Sequence, residues 1–167
     1  MWSLAEIDDM LKIKIIAVGS LKEPYLKIGI DEYRKRLLPW VDLSILEIPE
    51  TPIKVDRKEN ITKALAVDGL KIKNQIPNHA HLILLDINGQ KFTSENLAKK
   101  IETIQLKTNH LVMIIGGSHG VDPSISNMAN ERWSFSDLTF PHQLFRLLLL
   151  EQLYRSLTIL KGHPYHK

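Results

Sequence analysis

Five apolar residues in a row, Leu111 to Ile115, run straight into Gly116-Gly117-Ser118-His119-Gly120. This junction constrains the fold more than any other stretch of the chain. An apolar run without alternation suits a strand covered on both faces, as in a parallel sheet. Three glycines in five residues let the backbone take positive φ and come close to a ligand. In open α/β sheets, ligands bind outside the carboxyl ends of the strands. The same glycines would serve an ordinary strand-to-helix turn equally well, because GGSHG is neither G-x-G-x-x-G nor a Walker loop.

The rest of the chain alternates strand and helix signals. Ile13 to Val18 is a β-branched run stopped by Gly19-Ser20, and reads as the first strand. Tyr25 to Leu37 reads as an amphipathic helix, with Leu26, Ile30, Tyr33 and Leu37 on one stripe. Leu43 to Ile48 is a second strand, stopped by Pro49 and Pro52. Ile61 to Ile76 is a helix with Ile61, Leu65, Leu70 and Ile72 roughly inward, and Pro77 ends it. His81 to Asp86 is a third strand, followed by Asn88-Gly89 as a turn. Ser94 is expected to cap a helix reaching Leu106. Pro123 starts a short helix to Ala129, and Trp133 to Phe135 is a short fifth strand. Strands alternating with helices predict an α/β fold, a mostly parallel sheet flanked by helices on both faces.

The chain has 167 residues, enough for one domain with a real core. Met1 to Asp9 reads either as an N-terminal extension outside that domain, with Met10 the natural start, or as a first helix. Without Glu6, Asp8 and Asp9 the formal charge rises from +3 to +6, so residues 10–167 form a basic domain. That charge permits an RNA partner without demanding one. There is no cysteine, which excludes disulfides, thiolate metal sites and a cysteine nucleophile, and fits a reducing, cytoplasmic setting. No run is long and uncharged enough to span a membrane. The seven histidines form neither HxxxH nor HExxH, so no metal is expected. Gly116-x-Ser118-x-Gly120 matches a nucleophile elbow. Asp137 and His142 could be offered as its acid and histidine, but both follow too soon for a hydrolase.

Ser134 to His142 mixes hydroxyls and aromatics just before a helix. The backbone of such a segment could grip a flat heterocycle, and the helix N-terminus after Pro141 presents free N–H groups. The helix from His142 to Leu160 is apolar nearly all round, which marks it as buried. One face should meet the sheet, and a second copy of the chain is the expected cover for the other. Arg146 falls one turn after His142, so the two could project together. A salt bridge within the helix pair would account for Arg146 just as well.

The run S-F-S-D-L-T-F-P-H-Q-L-F-R-x4-E-Q-L-Y-R, with I-I-G-G-S-x-G before it and H-P-Y-H-K at the end, closely resembles the bacterial large-subunit ribosomal RNA pseudouridine N3-methyltransferases. These belong to the SPOUT class. The resemblance extends from Met10 to Lys167. It implies a C-terminal trefoil knot, a homodimer, and 23S rRNA within the assembled ribosome as substrate. It also implies S-adenosylmethionine as methyl donor, lined by Leu85, Gly116, Phe135, Ser136, Asp137, Leu138, Thr139 and Phe140. Methyl transfer needs the donor oriented and an imide proton removed. For that chemistry we assign Arg146 to binding or charge stabilisation. Tyr165 and His166 are assigned to positioning the base or moving the proton, with His142 a secondary candidate. A non-enzymatic ribosome- or RNA-binding protein that keeps the fold is the alternative.

Overall fold

The computed structural model describes residues 10–167, and the reading of the first nine residues lies outside them. The elements follow in the order β1 (Leu11–Val18), α1 (Pro24–Leu37), β2 (Val41–Ile48), α2 (Lys58–Lys73), β3 (His81–Lys91), α3 (Ser94–Gln105), β4 (His110–Ile115), α4 (Pro123–Met128), β5 (Glu131–Ser134) and α5 (His142–Leu160). The strands form one sheet in the order β2-β1-β4-β3-β5, and every pairing is parallel. The expected α/β architecture is therefore present.

Alternation within the strands builds two cores. On one face Ile13, Ile15 and Ala17 of β1 join Met113 of β4 and Ile83 of β3 under α1, α3 and α5. On the other, Ile16 and Val18 join Ile114 and Leu84 under α2 and α4. From α5, Leu149, Leu150, Leu153 and Leu157 are buried in the first core. Each such leucine contributes roughly 1.5–3 kcal/mol by leaving water. Ser156 and Thr158 are buried on the same helix, so it is not apolar throughout its covered surface.

The registers align the strand tips. Ile115 lies opposite Ala17 on one side and Leu85 on the other, and Leu85 lies opposite Trp133. The segments leaving β1 and β4 therefore emerge side by side along one edge, next to β3 at Leu85. No helix among the described residues is long and apolar enough to cross a membrane.

Three local expectations are corrected. Asn88-Gly89 is no turn: β3 continues to Lys91, with a register shift against β5 between Leu85 and Gln90. A Cβ on Gly89 would lie 2.6 Å from the backbone of Arg132, so this glycine serves close strand approach at an irregularity. Leu70 is 62% exposed, because Ala64, Asp68 and Ile72 occupy the inward stripe of α2 instead. The cap of α3 is Thr93, whose hydroxyl accepts from the Asn96 amide, one residue before the expected Ser94.

Asp68 fastens the chain after β2 to α2. Its buried carboxylate accepts from the Thr51 hydroxyl at 2.6 Å, the Thr51 amide at 3.1 Å and the Lys71 ammonium at 3.0 Å. Burial alone would raise its pKa, but the Thr51 and Lys71 donors outweigh burial and hold it below the ordinary value. A depressed carboxyl stabilises the fold above the unfolded-state value, about 3.9, and loses that contribution as pH falls through the folded value. Asp68→Ala should therefore cost about 1–3 kcal/mol at pH 7 by stranding these donors. In urea melts the difference from wild type should shrink markedly at pH 3.

Candidate functional site at the strand tips

A cavity of about 670 Å³ opens beyond the ends of β4 and β5, beside the stretch of β3 from Leu84 to Ile87. Its floor is apolar: Leu84 and Leu85 from β3, Ile115 from β4, Trp133 from β5 and Phe145 from α5. Polar groups come from the loops, including Asp86, Ser118, His119, Ser134 and Ser136. An apolar floor with a few convergent polar groups is the usual form of a small-molecule site, and the volume suits a nucleoside-sized ligand.

The glycine run shapes one wall. Gly117 and Gly120 form a tight turn, with Gly117 N–H donating to the Gly120 carbonyl at 3.2 Å and Gly120 N–H returning to Gly117 at 3.1 Å. Gly120 has φ +83°, which an L side chain rarely adopts. A Cβ on Gly116 would sit 2.9 Å from the Gly120 backbone, and one on Gly117 would sit 2.5 Å from Glu50 Oε1. Glu50 is the reason for the second restriction: its carboxylate accepts from the Ser118 amide at 2.9 Å. Beyond the turn, Asp122 caps α4 by accepting from the Ser124 amide at 2.9 Å. The Ser124 hydroxyl and amide hold that carboxyl below the usual range.

The opposite wall is the segment from Phe135 to Phe140. Ser134 Oγ donates to the Ser136 carbonyl at 3.1 Å, and the Leu138 amide donates to Ser136 Oγ at 2.9 Å. Phe135 packs against Phe145 with centroids 5.4 Å apart. Pro141 then starts α5 without a side-chain cap, which leaves first-turn amides free at the positive end of the helix.

Of the residues expected to line a cofactor, Leu85, Gly116, Phe135, Ser136, Leu138, Thr139 and Phe140 surround this cavity. Asp137 does not line it; its carboxylate is exposed and paired with Lys91. Among the residues assigned to chemistry, His142 alone lines the cavity. Arg146 is 2% exposed and turns the other way, donating to Glu47 Oε1 at 2.7 Å and to the Gly19 carbonyl at 2.7 Å.

Tyr165 and His166 fold back along α5. The Tyr165 hydroxyl donates to Glu151 Oε1 at 3.1 Å and lies 3.4 Å from the Tyr33 hydroxyl. The Tyr33 hydrogen bond, burial and the Glu151 charge hold its pKa well above the ordinary tyrosine value, so here it is a donor and no base. His166 lies 3.2 Å from Arg155 Nη1 and 3.0 Å from Glu95 Oε1. A guanidinium only donates, which puts the ring proton on Nε2 facing Glu95. The His166 hydrogen bond pulls the Glu95 carboxyl down to about 2. Glu151 lies nine residues along α5 from His142, a rise of roughly 13 Å. Within one chain the tail is thus held away from the cavity.

Sequence reasoning missed Glu47 and Glu50. Each is a single acid near a strand end, and no local pattern singles out its partner on a distant element. Among the described residues there is no group of three or more His, Cys, Asp or Glu able to hold a metal ion.

A family model described as "Predicted SPOUT methyltransferase" matches residues 11–166. Curated relatives called "Ribosomal RNA large subunit methyltransferase H" cover almost the whole chain. The one from Natranaerobius thermophilus is 44% identical over 159 residues, spanning 93% of this chain and 99% of the relative. The one from Streptococcus pneumoniae is 44% identical over 160 residues, spanning 94% and 100%. That from Halothermothrix orenii is 40% identical over 159 residues, with the same coverage. Among solved structures, a probable methylase family protein from Haemophilus influenzae superimposes with a TM-score of 0.54 at 11% identity. It covers 95% of this chain and 72% of that one, a likeness of fold.

Glu151 anchors the tail through Tyr165 and also holds Arg155. Glu151→Ala should free the tail. Trypsin should then cut after exposed Lys161 several-fold faster than in wild type, while the protein stays folded by circular dichroism.

Proposed function

The chain belongs to the SPOUT methyltransferase family, and from that premise we propose that it transfers the methyl group of S-adenosylmethionine to N3 of a pseudouridine in 23S ribosomal RNA, acting on the assembled ribosome in the cytoplasm. The carrying observation is that the likeness to large-subunit ribosomal RNA methyltransferases spans nearly the whole chain, including every segment around the cavity at the strand tips.

The cavity fits such a donor. Gly116 and Gly117 let the turn close against Gly120 and Glu50, where a Cβ would collide, and the apolar floor suits an adenine ring. The wall from Phe135 to Phe140 offers backbone groups to a heterocycle edge, and Leu85 and Gly116 close the ends of the floor. Bound there, the donor supplies an already activated methyl, so the protein has only to align a nitrogen with it and let the imide proton leave. The buried floor keeps water from the reacting atoms. His142, on the cavity wall, is the side chain placed to hold or receive that proton. The reading also carries the C-terminal knot. It is supported by the segment from Phe135 to Phe140 and the loop after β4 lining one cavity.

A homodimer belongs to the same reading. Tyr25 and Ile28 of α1 are 65% and 72% exposed. Next to Ile28, Gly29 faces Leu147 of α5 at a distance that would leave an added Cβ only 3.1 Å away. Leu144, Leu147 and Leu148 are only half-buried. A second copy laid over this apolar surface would cover it. It would also give the tail residues Tyr165 and His166 a route to a cavity that their own subunit denies them.

Two outcomes test this. Ribosomes from a strain lacking the gene should gain one methyl group on 23S rRNA when incubated with the protein and donor, read by mass spectrometry. Gly116→Ala, which must displace the Gly120 backbone, should weaken donor binding in calorimetry by at least about tenfold, or 1.4 kcal/mol. Binding to ribosomes without methyl transfer would leave an RNA-binding protein instead. In addition, Ile28→Glu should reduce the mass in solution, by light scattering, from that of two chains to that of one.

A further inference from the structure

The turn after β1 is held more firmly than a surface turn requires. It spans Gly19 to Lys22, and Gly19 has φ +93°. The Gly19 amide donates to the Ile48 carbonyl at 2.8 Å. Arg146 reaches from α5 to donate to the Gly19 carbonyl at 2.7 Å and to Glu47 at 2.7 Å. Glu47 also accepts from the Leu21 amide, and Gln143 of α5 accepts from the Lys22 amide, each at 2.8 Å. Two strand ends and the first turns of α5 thus hold three of the turn's four residues, Gly19, Leu21 and Lys22. Yet Ser20 and Lys22 themselves are exposed, and neither side chain has a partner among the described residues. Burying a guanidinium is costly, and the cost is larger here because Arg146 Nε has no hydrogen-bond partner among the described residues. Spending it on an otherwise exposed turn points to a turn whose position matters.

Its place says for what. The tips of β4 and β5, the stretch of β3 from Leu84 to Ile87 and the segment from Phe135 to Phe140 surround the cavity. β1 is the next strand along, paired to β4. His142 stands between: it lines the cavity, and its Nε2 would lie 3.8 Å from a Cβ on Gly19. A methyl acceptor must meet the cofactor from a side the cofactor does not occupy, and the turn after β1 borders that side.

We propose that the turn Gly19–Lys22 seats the acceptor RNA strand, with the Lys22 ammonium on a backbone phosphate, and that Arg146 is a positioning residue holding this platform at a fixed distance from His142. The assignment rests on the methyltransferase reading. Arg146 then acts through Gly19 and Glu47 and makes no contact with the reacting base. A lysine in its place could not bridge both partners, since it lacks the planar fork.

The test measures methyl transfer to ribosomes lacking the modification, at several salt concentrations, with donor affinity followed by calorimetry. Lys22→Ala should raise KM for ribosomes several-fold with kcat and donor affinity unchanged, and should reduce the slope of log affinity against log salt by about one. Arg146→Lys should lower kcat by roughly tenfold or more with donor affinity within about threefold of wild type. A purely structural role would instead move melting temperature and donor affinity together with kcat. If Arg146→Lys fails to fold, Lys22→Ala still decides, because its side chain is on the surface. An active wild type with Lys22→Ala unchanged in KM and salt slope overturns the assignment alone. An inert wild type overturns the methyltransferase reading and the assignment with it.

Discussion

The site depends on β4 lying between β1 and β3 in parallel register. That pairing sets Ala17, Ile115 and Leu85 level, with Trp133 beyond them. Parallel strands all point their carboxyl ends one way, so every connecting segment leaves from the same edge. A slip of one residue in β4 would exchange its side chains between the two cores and carry the Gly116 turn out of line with Leu85. Both faces of the apolar run from Leu111 to Ile115 are buried, one under α1, α3 and α5, the other under α2 and α4.

Above this edge, acids from the β2 end do much of the holding. Glu47 takes the Leu21 amide and the Arg146 guanidinium. Glu50 takes the Ser118 amide. Asp68, on α2, secures Thr51 just after them. The edge strand β2 contributes nothing to the cavity lining itself, but its exit braces the turns on both sides of the cavity's nearer wall. A carboxylate accepting backbone N–H groups suits this task, since charge-assisted hydrogen bonds are stronger than neutral ones. The brace is a matter of side chains scattered over β2, the segment after it, α2 and α5.

Much of the fold was legible in the sequence. Strand and helix signals were strong where one period dominated, as in Leu26, Ile30 and Leu37 of α1, all buried as the stripe requires. They failed where a residue has two uses. Asn88-Gly89 is a turn signal locally, but the approach of β5 to Gly89 decides the conformation there. Leu70 is apolar and exposed, because Asp68, though charged, has enough donors around it to be buried. The cavity wall from Phe135 to Phe140 stood out in the sequence as an odd mixture of hydroxyls and aromatics, and most of it does line the cavity. The direction of Arg146 did not stand out, since one turn of helical spacing from His142 fixes an angle about the axis and says nothing of what the long side chain meets.

The sequence alone determined the alternation of strands and helices, the doubly covered central strand, the glycine turn after it and the family. These follow from local periodicity, from backbone freedom at glycine, and from motifs that are contiguous in the chain. The tertiary structure alone decided which strand tips stand side by side, that Glu47 and Glu50 grip turns far away in sequence, and that Tyr165 and His166 rest on α5 away from the cavity. The reason is physical. A hydrogen bond between residues 68 or 99 positions apart leaves no periodic trace in the chain, and exists only once the sheet order has brought its two ends together.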